Sequence, residues 1–73
     1  MRQTVKEYLE GWKGIDGLDG MIEFYSDYDG RKLGEFNLWD DTLSNENLLV
    51  KNVIREKEKW RDGESYIEVI VEV

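Results

Sequence analysis

The sequence predicts an α+β domain with one N-terminal helix packed on a four-stranded, mostly antiparallel sheet, in the order α-β-β-β-β. Three observations carry this expectation. Val5, Tyr8, Leu9 and Trp12 recur at the spacing of one helical face. Residues 21–26 and 32–38 read as two strands joined by Asp29-Gly30, a strong local hairpin signal. Residues 66–73 alternate, with Ile67, Val69, Val71 and Val73 on one side and Glu68 and Glu72 on the other, as a half-buried strand requires.

The helix is placed at residues 4–12. Thr4 followed by Glu7 fits the capping box, in which a hydroxyl and a carboxylate satisfy orphan backbone donors. Gly11 and Gly14 end it, and the glycine-aspartate stretch GIDGLDG, residues 14–20, links it to the first strand. In the first hairpin a three-residue loop, Tyr28-Asp29-Gly30, sets Ser26 against Lys32, Phe24 against Gly34 and Ile22 against Phe36. A two-residue loop would slip the register by one and oppose Phe24 to Glu35, which a buried face does not tolerate. The preferred register leaves Glu23 facing Glu35 and marks that side as wet.

Residues 39–49 are polar and read as a loop containing a helical turn. Residues 51–60 suit either of two periods. As a strand they pair with residues 64–73 through Arg61-Asp62-Gly63, with Val53 meeting Val71 and Ile54 meeting Ile70. As a helix, at about residues 45–60, they give the alternative order α-β-β-α-β, with Ser44 as N-cap. The defined turn role of Asp62-Gly63 and the β-branched Val53 and Ile54 favour the hairpin.

A chain of 73 residues without proline is one small domain. It has no cysteine and no histidine. Disulfides, thiolate metal sites, and nucleophile-base pairs of the common kinds are therefore excluded. No phosphate-cradling glycine motif is present. A non-enzyme without cofactor or metal is expected. No apolar run approaches the roughly 20 residues that span a bilayer, and no signal-peptide core is visible, so a soluble cytoplasmic protein is expected.

The net charge is −7, and residues 14–50 hold nine acidic against two basic side chains while the flanks nearly cancel. Such a domain repels nucleic acid, whose binding requires neutralised phosphates, and is drawn to basic protein surfaces. Asp27, Asp29, Asp40 and Asp41 are the candidate partner-binding carboxylates. Trp39 and Trp60, beside polar loops, are the candidate aromatic anchors. Asp27-Tyr28-Asp29-Gly30 and the Asp16, Asp19, Gly20 group each match a calcium loop in part, but the bidentate glutamate is missing and turn chemistry explains both. A homodimer through strand addition at a sheet edge is a further interaction class.

The start TVKEYLEG, the segment MIEFYSDYDGRKLGEF with its acidic-aromatic turn, and the strand YIEVIVEV together resemble small acidic proteins of bacteriophages and mobile elements. The resemblance covers most of the chain in layout. Some of those proteins inhibit host defence, among them anti-CRISPR proteins and DNA mimics. It therefore implies a non-enzymatic accessory protein of the bacterial host cytoplasm, bound to a defence nuclease complex with a basic surface, and it supplies no catalytic residues. The basic-rich stretch of Lys51, Arg55, Lys57, Lys59 and Arg61 departs from a simple acidic mimic. The alternative is a small structural or self-associating domain.

Overall fold

The computed structural model describes residues 3–12 and 20–73. Most of the glycine-aspartate linker, with Gly14, Asp16 and Asp19, lies outside the described residues. The described chain is α+β, as expected. It runs α1 (Val5–Glu10), β1 (Met21–Ser26), β2 (Lys32–Asn37), β3 (Thr42–Leu43), a 3₁₀ turn (Glu46–Val50), β4 (Val53–Arg61) and β5 (Glu64–Val71).

The sheet is mixed and matches the four-stranded, mostly antiparallel expectation only roughly: β1–β2, β2–β3 and β4–β5 are antiparallel. It has five strands in the order β3-β2-β1-β5-β4, and its central pair, β1 with β5, is parallel. Burial explains the centre. Ile22 and Phe24 of β1 and Val69 and Val71 of β5 are fully buried on one face. The most apolar strands therefore pair with each other, and the charged β4 is left at an edge. The short β3 falls within the stretch expected as a loop.

Helix α1 forms the capping box read from Thr4 and Glu7. Glu7 N donates to Thr4 Oγ1 at 3.3 Å, and Thr4 N donates to Glu7 Oε1 at 3.1 Å. It stops earlier than residue 12, because Gly11 caps it and Trp12 lies in the following turn. Val5, Tyr8 and Leu9 face the sheet and join the core of Ile22, Phe24, Phe36, Leu48, Val69 and Val71. The segment before α1 is tied to the start of β4: Val5 N donates to Lys51 O at 2.8 Å and Val53 N to Gln3 O at 2.7 Å.

In the first hairpin Ile22 opposes Phe36, Glu23 opposes Glu35 and Phe24 opposes Gly34, the expected register. The expected Ser26–Lys32 pair is not formed. Tyr25 opposes Lys32 across a bulge, and Ser26 N donates to Arg31 O at 2.9 Å. Gly30 takes the left-handed conformation, at φ 73°.

The helical alternative at 45–60 is confined to the 3₁₀ turn, since β4 is strand throughout. In the second hairpin Asp62 and Gly63 both have positive φ, 52° and 82°. Two such residues define a type I′ two-residue turn, whose twist matches the flanking strands. Arg61 then pairs with Glu64, in place of a three-residue loop. Val53 still meets Val71, but a bulge at Ile54 absorbs the one-residue difference and Ile70 meets Arg55 instead of Ile54.

Candidate functional site

A groove opens between α1, the turn after β2, β3 and the 3₁₀ turn. Leu9, Phe36, Leu43 and Leu49 give it an apolar floor, and its volume is about 390 Å³. That lies in the range of sites that hold a small molecule or an anchoring side chain. Its rim carries Glu10, Asp41 and Glu46 against one cation, Lys6. Each wall has a local cause. The capped helix presents Leu9 and Glu10 side by side. Asn45 caps the 3₁₀ turn by accepting from Asn47 N at 3.1 Å, and its Nδ2 donates to Leu33 O at 3.2 Å. Asn37 Oδ1 accepts from Trp39 N at 2.9 Å and Asp40 N at 3.2 Å, which sets the turn that delivers Asp41 to the rim.

The carboxylates and tryptophans expected to bind a partner are not brought into one patch. Asp27 and Asp29 lie at one end of the β1–β2 hairpin, and Asp40 and Asp41 lie at the other. Six strand residues, about 20 Å, separate the ends. Both tip carboxylates have local work: Asp27 Oδ1 accepts from Val73 N at 3.3 Å and Asp29 Oδ1 from Arg31 N at 3.1 Å. Tyr28 between them is 88% exposed. Trp39, 78% exposed, stands on the turn that carries Asp41. Trp60, 69% exposed, is on β4 at the far edge of the sheet. Among the described residues no group of three or more acidic side chains is placed to hold a metal ion.

The other face of the sheet holds a charge network. The wet side expected at Glu23 is instead covered: Glu23 is only 5% exposed. Tyr25 Oη donates to Glu23 Oε1 at 2.6 Å, and the Arg61 guanidinium lies 3.3 Å from Oε2. Lys32 Nζ reaches Glu23 at 3.9 Å and Glu35 at 3.6 Å, and Lys59 Nζ lies 3.5 Å from Glu68. Arg61 also lies over the Tyr66 ring at 4.6 Å. The hydrogen bond to Glu23, with burial, pushes the Tyr25 hydroxyl up to about 12. The Glu23 charge likewise raises Arg61. The parallel pairing of β1 with β5 brings Arg61 over Glu23, which single-strand periodicity does not reveal.

Sequence reasoning missed Lys6, Leu9, Glu10, Phe36, Leu43, Glu46 and Leu49 as one site. Each was legible alone as helix face, strand or loop. Their convergence depends on the chain crossing from β3 over the helix side to β4. No protein-family model, curated protein or solved structure matches the chain. Among the described residues, no helix is long and apolar enough to cross a membrane.

Proposed function

We propose that the chain is a non-enzymatic, protein-binding accessory module that docks a basic partner segment in the acidic-rimmed groove. The observation that carries this reading is the pairing of an apolar floor with three rim carboxylates and a single ammonium. An occupant with one buried apolar side chain flanked by lysine or arginine satisfies both parts. Trp39 and Asp40, on the adjacent turn, extend the contact. The sharpest form of the proposal, drawn from the layout and the charge, is an inhibitor that occupies a basic surface of a nucleic-acid-handling defence complex of the host. The groove favours a local docking site over an extended mimic of nucleic acid, because the acidic tips stand at opposite ends of β1 and β2.

One experiment separates the two forms. A partner is captured from host cells, and its binding is compared for two double variants. Asp41→Asn with Glu46→Lys keeps a residue suited to the left-handed backbone at Asp41 (φ 56°) and inverts the rim. Asp27→Lys with Asp29→Lys inverts the remote tip. Groove docking predicts loss with the first variant and near-native binding with the second. Equal loss in both favours the extended mimic, and retention in both refutes docking at either place.

A further inference from the structure

Strand β4 sorts its charges by face. Arg55, Lys57, Lys59 and Arg61 alternate with Glu56, Glu58 and Trp60 along the sequence. Successive strand residues point to opposite sides. All four cations therefore line the face that carries Glu23 and Glu68, while the two glutamates turn to the helix side, where Glu56 accepts the Tyr8 hydroxyl. β4 is also the last strand of the sheet, and beyond Val53, whose N–H donates to Gln3 O, the outer side of its backbone has no neighbouring strand among the described residues. Lys59 and Arg61 are engaged by Glu68 and Glu23. Arg55 and Lys57 are exposed and in no ion pair among the described residues, beside a recess of about 370 Å³ that also touches Ile70.

Segregation by face decides what can add to this edge. The symmetric antiparallel pairing of two β4 edges keeps the same face of both copies on the same side. Residues directly opposite then share a face, so cation meets cation and Glu56 or Glu58 meets its like, which is destabilising. The edge turns away a second copy. A foreign extended segment with carboxylates at alternate positions meets the reverse situation. Its acidic side chains fall every 6.6–6.8 Å or so, the spacing of Arg55, Lys57 and Lys59 along β4, and its backbone completes the ladder.

We infer that the β4 edge is a selective strand-addition site that excludes a second copy of this chain and accepts an extended, alternately acidic segment of a protein partner. This surface is distinct from the groove and opposite to it in sign.

The test titrates the isotope-labelled full chain with a synthetic nonapeptide alternating glutamate with threonine, and with the same peptide carrying lysine in place of glutamate. The glutamate peptide is expected to shift and protect the β4 amides, weaken with salt, and bind about tenfold or more tighter than the lysine peptide. Arg55→Glu with Lys57→Glu should reverse that preference, while Asp41→Asn with Glu46→Lys leaves it unchanged and so separates this site from the groove. The same Arg55 and Lys57 substitutions create opposite-sign pairs with Lys59 and Arg61 of a second copy. Sedimentation should then show a dimer where the native chain is a monomer, with circular dichroism confirming that both are folded. Equal binding of the two peptides, no binding at millimolar peptide, a native dimer across β4, or a double variant that stays monomeric overturns the inference.

Discussion

A Cβ at Gly34 would stand 2.8 Å from Leu48 Cδ1, 3.0 Å from Ser44 Oγ and 3.2 Å from Asn45 Cβ. The segment after β3 therefore seats directly on the β2 backbone at this glycine. Ser44 reinforces the seat, its Oγ accepting from Glu35 N at 2.9 Å. Gly34→Ala must displace the segment and is expected to cost about 1–3 kcal/mol, the usual penalty of overpacking. A lower urea midpoint at unchanged slope checks it, and an unchanged midpoint would show that the segment yields freely. That Gly34 opposes Phe24 was legible from the turn and the alternation of the hairpin. Its role as a seat was not, because the segment that covers it is packed by tertiary contact and has no period of its own. Glu23 teaches the same lesson: its register was legible, and its burial under Arg61 and Tyr25 was not.

Among the elements, α1 has only six residues. A helix this short is marginal alone, so its cap and its burial on the sheet hold it. Thr4→Ala removes the hydroxyl that accepts Glu7 N and should lower stability by about 1 kcal/mol, measured by denaturant unfolding near neutral pH. The Thr4 backbone N–H and then its hydroxyl hold the Glu7 carboxyl below its ordinary value. A depressed carboxylate stabilises above its unfolded value of 4.5 and loses that contribution as pH falls through the folded one. The loss from Thr4→Ala should therefore shrink in acid. The cap was fully legible, since it depends on residues three apart. β4 was ambiguous because Arg55-Glu56-Lys57-Glu58-Lys59 is compatible with either period. The strand prevails because Asp62-Gly63 folds it back on β5, whose Val69 and Val71 bury the other side of the ladder.

At the scale of the whole molecule, two tyrosines make stability depend on alkali. Tyr8 joins α1 to Glu56 of β4, and burial followed by that hydrogen bond raises its hydroxyl. Tyr25 is raised to about 12 by Glu23 and by burial. For a group whose folded value is raised, the contribution is complete below the unfolded value, here 10.0, and disappears as pH rises through the folded one. Unfolding free energy should thus fall above pH 10 or so, and Tyr8→Phe or Tyr25→Phe should flatten the decline in denaturant titrations. An unaltered decline in both variants would assign it elsewhere. The sign and size of the net charge were legible from composition. Its division into an acidic groove and a basic edge was not, because strand order decides which residues share a side.

The parallel pairing of β1 with β5 has a kinetic consequence. Each hairpin closes a short loop, a process of microseconds. Ile22 meets Ile67 across 45 intervening steps of chain, and such closure costs entropy before burial compensates it. Two quickly formed halves must therefore find one another, and the slow step of folding lies in joining them. Loosening the turn at Asp62, already formed when the halves join, would be felt as slower folding, whereas truncating Val69, whose contacts with β1 form only as they join, would divide its cost between slower folding and faster unfolding.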